Sequence, residues 1–379
     1  MTVLQGAGDL RVAADTTSVV GSGNGATVDV QDATGPVTVD LNAGTVTAPG
    51  WLAGTVSVSG VTNIYGGYNG GTLTGGPNTG YIEAPGGNTI INGGPTSETI
   101  VLGLGSDTVH GGAGNDEIYV GGTATSNNGN TIDGGAGYNG VSYVNAYGPL
   151  YVDLYAGVNG VGGGAWHNGI YDQLINIVNI QGNNNGDIIK GDYQDNIIQG
   201  GTGNDTIEGR QGNDTLTGGG GSDTFIIDQG LGKTVITDFN PADDKIDMSP
   251  LGIFHSLSDV LAVTAQVGSD TVITVNNTSI ATNGALTLQG VSMSSLTAAD
   301  FNFTPGAASG GGGGGVPGPT VGPGIGGTPT TGSGTINGTA GSDWLQGGSG
   351  NDTLHGAGGS DYLDGAGGVN TALYDGVYR

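Results

Sequence analysis

The sequence predicts an all-β fold, a right-handed parallel β-roll or β-solenoid built from nine-residue repeats. Apolar residues recur every nine positions, Asp or Asn stands two residues before most of them, and Gly fills the turns between. The composition agrees, because the chain has 84 Gly and 33 acidic residues, mostly Asp, against 6 Lys and Arg together. Asp and Gly are typical of turns, whereas Glu and Lys favour helix surfaces. We therefore expect short strands joined by glycine-rich turns.

The nine-residue period is clearest between residues 182 and 228. Its apolar positions are Ile189, Ile198, Ile207, Leu216 and Phe225. The polar positions two residues earlier are Asp187, Asn196, Asp205, Asp214 and Asp223. The clearest copies read GGTGNDTIE at 200–208 and GGAGNDEIY at 111–119. Each copy predicts a glycine turn with exposed carbonyls, followed by a very short strand with one apolar side chain on its inner face.

Two such repeats would make one coil, so side chains 18 residues apart would stack at about 4.7–4.9 Å. Asp187, Asp205 and Asp223 then form one column, and Asn196 and Asp214 form the other. Adjacent carboxylates repel by about 3.5 kcal/mol per pair at an effective dielectric of about 20, and a divalent cation reverses that sign. Oxygen ligands without nitrogen or sulfur select calcium over zinc, and a flexible, carbonyl-rich shell disfavours magnesium.

At these residues the chain resembles the RTX (repeats-in-toxin) family of secreted calcium-binding proteins, whose nonapeptide is GGxGxDxUx with U apolar. Full or near-full copies lie at roughly 93–119, 129–142, 182–228 and 338–373. The resemblance implies several bound calcium ions. The candidate acidic and amide ligands are Glu98, Asp107, Asp116, Asp187, Asn196, Asp205, Asp214, Asp223, Asp343, Asp352 and Asp361. The candidate turn glycines are Gly111, Gly112, Gly114, Gly200, Gly201, Gly203, Gly209, Gly212, Gly218, Gly219 and Gly221.

The apolar period begins before the acidic period. It includes Leu73, Ile82, Ile91, Ile100, Val109 and Ile118. The first three ligand positions carry Gly or Thr instead of Asp, so we expect calcium-free coils over 71–92 that apolar stacking holds together. We expect the first metal site near Glu98 and Asp116, where Glu replaces the usual Asp.

A longer repeat also runs through the chain, since GPVTVDLNAG at 35–44 parallels GPLYVDLYAG at 148–157. Nonapeptides follow each copy, so we expect two copies of one module. The predicted segments are 1–70, a degenerate strand module; 71–142, a first nonapeptide roll; 143–181, an intervening strand module; 182–228, a second calcium roll; 229–304, a cap; 305–335, a Gly/Pro-rich linker; and 336–379, a second RTX roll. We expect the last roll to continue past Arg379.

The segment TDFNPADDKIDMS at 237–249 resembles the C-terminal cap of serralysin-type RTX domains. A roll needs a cap because its last coil exposes an apolar face and unpaired strand groups. Asp238, Asp243 and Asp247 are candidates for a further ion, and they are equally good candidates for turn and cap residues.

Several function classes are disfavoured by the sequence. The absence of Cys excludes disulfides and thiolate chemistry, and the scattered basic residues disfavour nucleic acid as a partner. The chain has no apolar run long enough for a membrane span. GAGYNG at 135–140 is in phase with the nonapeptides, and neither GxSxG nor HExxH occurs, so we expect no enzyme activity in this chain. His110 and His355 follow apolar repeat positions and are expected to be solvated.

Calcium is expected to supply much of the folding free energy, because one apolar residue in nine cannot offset a backbone ordering cost of about 1–2 kcal/mol per residue. The resemblance implies type I secretion without a cleaved N-terminal signal, and an extracellular or bacterial cell-surface location. We interpret the protein as a structural, surface-layer, adhesin or matrix component, because Met1 leads directly into repeat-related sequence. The alternative is the RTX portion of a secreted enzyme or toxin whose catalytic domain lies outside this sequence.

Partners other than calcium are a cell-surface polysaccharide or further copies of the chain. Five aromatic residues between the repeat blocks are candidates for a sugar-stacking surface: Tyr143, Tyr147, Tyr151, Tyr155 and Trp166. Such residues more often pack the longer strands of a module, so both interpretations stay open at this point.

Overall fold

The fold is described from a computed structural model of the chain. The described residues are 2–23, 25–121, 129–155, 163–277, 282–303, 330–331, 334–337, 344–346, 352–355, 362–364 and 371–373. The chain divides into two compact units, Met1–Gly310 and Gly311–Arg379. The candidate linker 305–335 lies almost wholly outside the described residues, so its character stays a prediction.

Short strands make up most of the first unit. They are β1 (Thr2–Gly6), β2 (Asp9–Arg11), β3 (Thr16–Gly21), β4 (Thr27–Asp29), β5 (Val37–Asp40), β6 (Thr45–Thr47), β7 (Val56–Ser59), β8 (Asn63–Tyr65), β9 (Gly71–Thr74), β10 (Tyr81–Ala84), β11 (Thr89–Gly94), β12 (Thr99–Leu102), β13 (Thr108–Gly112), β14 (Glu117–Tyr119), β15 (Thr131–Asp133), β16 (Gly140–Ser142), β17 (Leu150–Asp153), β18 (Gly164–His167), β19 (Ile170–Ile175), β20 (Asn179–Gln181), β21 (Ile188–Lys190), β22 (Ile197–Thr202), β23 (Thr206–Glu208), β24 (Thr215–Gly220), β25 (Thr224–Ile226), β26 (Lys233–Ile236), β27 (Lys245–Asp247), β28 (Thr264–Val267), β29 (Asp270–Asn277), β30 (Thr282–Leu288) and β31 (Phe301–Asn302). Helix is confined to α1 (Leu257–Leu261) and to 3-10 turns at Ser249–Leu251, Met293–Ser295 and Ala298–Asp300 in the described part of the chain.

Two long sheets are formed by strands that alternate along the chain. Within the described ranges, the first sheet has 17 strands and the second has 14. The spatial order of the first sheet is β1–β3–β7–β6–β5–β9–β11–β13–β15–β19–β18–β17–β21–β23–β25–β27–β31. The order of the second is β2–β4–β8–β10–β12–β14–β16–β20–β22–β24–β26–β30–β29–β28. The predicted all-β parallel roll is confirmed.

The nine-residue apolar period places one side chain per strand in the core between the sheets. Ile189 pairs with Ile207 and Ile207 pairs with Phe225 in parallel register, while Ile198 pairs with Leu216. These five side chains are at most 1% exposed. Partners in register are 18 residues apart, which confirms two nonapeptides per coil. Their burial contributes about 1.5–3 kcal/mol per side chain.

Two antiparallel insertions interrupt the first sheet. The strands β5, β6 and β7 form one three-stranded meander, whose outer strands pair in parallel with β9 and β3. The strands β17, β18 and β19 form the other, whose outer strands pair in parallel with β21 and β15. The first strands of the two meanders lie in the related segments 35–44 and 148–157. The long internal repeat therefore corresponds to the same insertion made twice.

The coils end in the segment 229–304. There β27 and β31 continue the first sheet in parallel, whereas the second sheet ends in the antiparallel strands β30, β29 and β28. Phe239, Met248 and Phe254 are at most 5% exposed in this segment. Larger apolar side chains thus bury the end of the core, as a cap requires.

The second unit repeats the coil pattern in its described strands. These are β32 (Thr330–Thr331), β33 (Thr335–Asn337), β34 (Trp344–Gln346), β35 (Thr353–His355), β36 (Tyr362–Asp364) and β37 (Thr371–Leu373). They pair in parallel as β32–β34–β36 and β33–β35–β37. Ile336, Leu345 and Leu354 form a small buried cluster. No helix among the described residues of either unit has the length and apolar character that crossing a membrane requires.

Substitution of two adjacent isoleucines tests how much the core contributes to the free energy of unfolding. Ile198 is fully buried, whereas Ile197 is 48% exposed on the same strand. We expect Ile198→Ala to lower the free energy of unfolding in saturating calcium by about 2–5 kcal/mol, because it leaves a cavity. The matched change Ile197→Ala should shift it by no more than about 0.5 kcal/mol. Chemical denaturation measures both, and equal losses would contradict the described register.

Candidate metal centre

The acidic residues of the nonapeptide turns are buried in stacks at the two edges of the roll. Each of them is at most 2% exposed: Glu98, Asp107, Asp116, Asp187, Asp205, Asp214 and Asp223. Burial of a carboxylate is costly unless it is hydrogen bonded and its charge is balanced. The partners of these oxygens therefore decide what the turns can bind.

In most of the stacked carboxylates one oxygen accepts a main-chain hydrogen bond from the preceding coil, whereas Glu98 Oε1 accepts from the hydroxyl of Thr96. Asp205 Oδ1 accepts from the N–H of Asp187 at 2.7 Å, and Asp223 Oδ1 accepts from the N–H of Asp205 at 2.9 Å. On the opposite edge, Asp214 Oδ1 accepts from the N–H of Asn196 at 3.0 Å. The structure thus brings the predicted ligands together in the two predicted columns.

The first roll has the same arrangement. Asp107 Oδ1 accepts from the N–H of Thr89, and Asp116 Oδ1 accepts from the N–H of Glu98, both at 2.8 Å. Glu98 and Asp116 therefore lie in adjacent turns of one column. The coils before residue 93 carry no carboxylate at the equivalent positions, yet they stack in the same register.

The second oxygen of several stacked carboxylates has no partner. Glu98 Oε2, Asp107 Oδ2, Asp116 Oδ2 and Asp205 Oδ2 are buried side-chain oxygens without any hydrogen bond. Buried polar atoms are nearly always paired, and an unpaired charged one costs more than about 1–3 kcal/mol. These oxygens require a cation or a proton.

Main-chain carbonyls surround the same space. Asp205 Oδ2 and the carbonyl oxygen of Gly218 both lie within 2.6 Å of the point that a Cβ on Gly200 would occupy. Asp116 Oδ2 and the carbonyl oxygen of Gly134 are each 2.5 Å from the equivalent point at Gly111. Glycine therefore leaves a cradle whose walls are carboxylate and carbonyl oxygens.

The remaining predicted glycines shape the turns. Six of them have positive φ, namely Gly112, Gly114, Gly201, Gly212, Gly219 and Gly221. At Gly201 (φ 132°) and Gly219 (φ 100°), a Cβ would also collide with the carbonyl of the preceding coil. Gly209 and Gly218 face the carboxylates of Asp214 and Asp223, and Gly203 backs onto the main chain of the preceding turn. A side chain at these positions would push adjacent coils apart.

The donor set fits calcium. No group of three or more His, Asp or Glu side chains converges on one point within the described residues, so turn carbonyls must complete any metal shell. Unpaired carboxylate oxygens together with carbonyl oxygens make a hard, all-oxygen set, which calcium accepts with a high coordination number and flexible geometry. The stacked carboxylates and the carbonyls of their glycine turns are the groups that would hold it.

Burial strongly raises the pKa values of the stacked acids. Removal from water raises the pKa of Asp107, Asp116, Asp205 and Asp214 to about 7. It raises the pKa of Asp187 and Asp223 to about 6. Adjacent carboxylates of the same column add to the effect at Asp205, whereas main-chain N–H donors oppose it. Protons therefore compete with a cation for the turns near neutral pH.

Comparison with known protein families identifies the repeats that carry these carboxylates. The family described as the RTX calcium-binding nonapeptide repeat matches the chain in four copies, at residues 92–123, 181–216, 190–225 and 337–372. The chain carries RTX calcium-binding repeats. These matches include both described stacks of carboxylates and part of the second unit.

Two solved structures resemble parts of this chain. The extracellular lipase LipA from Serratia marcescens is 18% identical with a TM-score of 0.22, over 62% of this chain and 44% of the lipase. The AlgE6R2 subunit of the Azotobacter vinelandii mannuronan C5-epimerase is 24% identical with a TM-score of 0.26, over 35% of this chain and 94% of the subunit. The chain thus spans less than half the length of the lipase. A search of curated proteins finds no match.

The turns that contain Asn196 and Asp214 depart from the GGxGxD pattern. Both polar atoms of the Asn196 side chain have partners. Nδ2 donates to the Val178 carbonyl at 2.8 Å, and Oδ1 accepts from the N–H of Asp192 at 2.9 Å. In the next turn of that column, Arg210 replaces the second glycine and adopts φ 66°. Its guanidinium donates to the Gly191 carbonyl at 2.9 Å. A fixed positive charge therefore lies beside this turn.

The three cap acids have separate partners. Asp238 accepts from the N–H groups of Gly218 and Gly219 at 3.0 and 2.8 Å, so it covers the last RTX turn. Asp243 Oδ2 accepts from the side chain of Asn240 at 2.7 Å, and Asp247 Oδ1 accepts from the N–H of Ser249 at 2.9 Å. These contacts are those of turn and cap residues, and a further ion at this place stays a prediction.

Sequence analysis missed the residues that extend the columns. Asp244 Oδ1 accepts from the N–H of Asp223 at 2.9 Å and therefore continues that column into the cap. Asn130 and Asn139 accept in the same way from Asp107 and Asp116. Their spacings of 21 and 23 residues hide them from a search at 18. The Asp-x-Ile pattern at 244–246 was the available signal for the cap residue.

The second unit has one described ligand position. Asp352 is 1% exposed, and its Oδ1 accepts from the N–H of Gly334 at 2.6 Å, as in the RTX turns of the first unit. The predicted ligands Asp343 and Asp361 lie outside the described residues.

The raised pKa values predict opposite pH dependence with and without calcium. Without calcium, the folded chain holds protons on these acids up to pH 6–7, whereas the unfolded chain releases them near 3.8. Stability should therefore fall as the pH rises between these values. With calcium, the carboxylates must ionise, so the calcium concentration needed for folding should rise as the pH falls below about 7.

Far-UV circular dichroism at pH 5 and pH 8, in chelator and in calcium, measures this difference. The variant Asp205→Asn should reduce the pH dependence in chelator, since it removes one ionisable group from the column. The same direction of change in both conditions would contradict the assignment of these acids to the metal centre.

Two glycines of one turn test the cradle. A Cβ on Gly218 would collide with the carboxylate of Asp223, whereas a Cβ on Gly220 would meet only a methyl group at 3.9 Å. We expect Gly218→Ala to raise the calcium concentration at half-folding at least about tenfold, equal to about 1.4 kcal/mol. Gly220→Ala should leave it within about twofold. Calcium titration by circular dichroism measures both, and equal effects would argue against the cradle.

Proposed function

We propose that this protein is a secreted structural component of the bacterial cell surface or its surroundings, such as a surface-layer, adhesin or matrix protein, whose rolls fold on binding extracellular calcium. The observation that supports this most directly is the set of buried, unpaired carboxylate oxygens at Glu98, Asp107, Asp116 and Asp205. These atoms lie at the junctions between coils, so the ion that they bind would join one coil to the next.

Electrostatics makes the proposed folding depend on calcium. The chain has a net charge of −27, and its columns hold like charges in adjacent coils. Repulsion in a column would oppose stacking wherever calcium is scarce, and bound calcium would reverse it. Extracellular sites of this kind fill at about 10⁻⁴–10⁻³ M calcium. The chain would thus stay unfolded in a cytosol with little calcium, pass through a type I secretion system, and fold outside.

We also propose that the described residues perform no catalysis. His167 Nε2 and the hydroxyl of Tyr143 both contact Asp172 Oδ2 at 3.0 Å, an arrangement that superficially resembles a catalytic group. The other oxygen of Asp172 accepts from the main chain and side chain of Asn130 at 2.7 and 3.0 Å. All three members of the group are at most 4% exposed. A substrate has no access to them, so their role is to attach the second meander to the column of Asn130.

Calcium titration by far-UV circular dichroism tests the proposal. Starting from chelator, we expect a transition from coil to strand near millimolar calcium and none with magnesium. The double variant Asp205→Ala with Asp223→Ala should shift the midpoint to at least about tenfold higher calcium, since it removes two of the four carboxylates from the column that ends at Asp244.

The matched control is Asp9→Ala with Asp15→Ala, which removes the same charge from two exposed positions. Its midpoint should stay within about twofold of the wild type. A full strand spectrum in chelator, or equal shifts in the two double variants, would contradict the proposed function.

A further inference from the structure

A row of three aromatic side chains, one half-buried and two exposed, crosses the second meander. Tyr151 on β17 lies opposite Trp166 on β18, and Trp166 lies opposite Tyr171 on β19. The ring centroids are 5.4 Å apart in the first pair and 4.6 Å apart in the second. Trp166 is 43% exposed and Tyr171 is 42% exposed. The row therefore lies on the outer face of the first sheet.

Two further rings adjoin this row. Tyr155 follows β17 along the chain, and its ring centroid is 5.1 Å from that of Tyr193, which belongs to an RTX turn. The Arg210 guanidinium lies 5.3 Å from the centroid of the Tyr155 ring. Tyr155 and Tyr193 are also substantially exposed. We call these five residues the aromatic surface: Tyr151, Tyr155, Trp166, Tyr171 and Tyr193.

The backbone holds these rings in place. The ring of Tyr171 occupies the space above Gly164, where a Cβ would collide with three atoms of that ring. Trp166 and Tyr171 also stand on paired strands rather than on loops. Aromatic side chains that are already ordered lose little conformational entropy when a ligand binds.

Hydrogen-bonding side chains line the same face. Asp153 and Gln173 belong to the next row of the meander, both opposite Gly164. Side chains alternate along a strand, so Asp153 lies on the same face as Tyr151. The face thus combines aromatic rings with a carboxylate and an amide. Sugars offer the matching chemistry, since their C–H faces pack on aromatic rings and their hydroxyls bond to planar polar groups.

Charge narrows the choice of ligand. The chain has a net charge of −27, and the carboxylate of Asp153 already pairs with Arg210. Lys190, opposite Asp153 on β21, pairs with Glu208 at 3.3 Å. A polyanion would be repelled by the acids that calcium does not neutralise, and it would find both nearby cations, Arg210 and Lys190, already paired. An uncharged polysaccharide would meet neither obstacle.

Arg210 connects this surface to the calcium turns. Its guanidinium holds Asp153 through two hydrogen bonds of 2.7 and 2.9 Å, and it also donates to the Gly191 carbonyl. Arg210 itself belongs to the RTX turn that contains Asp214. Formation of that turn therefore places the cation that fixes Asp153 and packs against Tyr155.

We propose that the aromatic surface binds a neutral glycan, and that Arg210 makes this binding depend on calcium by fixing the surface to an RTX turn. The proposal rests on the calcium-dependent folding proposed above. It assigns a partner to the face of one meander, which that function leaves unspecified.

An array of neutral oligosaccharides, with polygalacturonate as the acidic probe, tests the proposal on the full chain in saturating calcium. We expect binding to at least one neutral oligosaccharide and not to polygalacturonate. Calorimetry with that oligosaccharide should show at least about tenfold weaker binding for Trp166→Ala with Tyr171→Ala. Tyr68→Ala, at a ring 57% exposed before β9, is the matched control and should bind like the wild type.

Arg210→Gly tests the link to calcium. Glycine suits φ 66° at this position, so the variant should still give the full strand spectrum in saturating calcium. Glycan affinity should fall at least about fivefold, because Asp153 and Tyr155 lose their common partner. Unchanged affinity in this variant would overturn the role of Arg210.

Four other results would overturn glycan binding at this surface. They are no binding to any neutral oligosaccharide, binding to polygalacturonate alone, equal binding by the Trp166 and Tyr171 double variant, and self-association that this variant abolishes without any glycan bound. Circular dichroism on the same samples separates the two proposals. If the chain folds on calcium and binds no glycan, only the glycan proposal fails. If the strand spectrum is already complete in chelator, the calcium-folding proposal fails.

Discussion

The structure depends on one repeated hydrogen bond, in which a turn carboxylate accepts the main-chain N–H of the preceding coil. The bond from Asp187 to Asp205 and the bond from Asp205 to Asp223 are two consecutive examples. This bond uses one carboxylate oxygen and turns the other toward the glycine carbonyls. It therefore sets both the register of the coils and the oxygen lining of the metal centre.

Core packing, glycine positions and the two meanders of the first unit are all compatible with the stacking that this hydrogen bond sets. In the coils at 182–228 the core needs only one inward apolar side chain per strand, because the coils are spaced by the turns as well as by core packing. Glycine is required where adjacent turns approach closely, as at Gly201. The meanders enter the first sheet without breaking the second, where β16 and β20 pair directly. Exposed side chains can therefore be added on one face while the stacked edges are preserved.

The regular period made the coils and most of the candidate ligands predictable. Ile207 and Asp205 follow from spacing alone, because both obey one repeat. Insertions of a few residues hid Asn130, Asn139 and Asp244, since a column in space continues across a change of spacing that a fixed period does not follow. Alternating apolar residues at 35–44 and 148–157 indicated strands, but alternation carries no information about pairing direction.

The hydrogen bonds from main-chain N–H groups of one coil to turn carboxylates of the next all run the same way along the chain. In these bonds the donor N–H belongs to an earlier coil and the accepting carboxylate to a later one, and Asp244 provides the last acceptor of its column. Each turn is thus completed by its successor, so the array has polarity as well as nearest-neighbour cooperativity. Loss of coils from one end leaves acceptors without donors, and loss from the other leaves donors without acceptors. The two ends of the roll are therefore not equivalent.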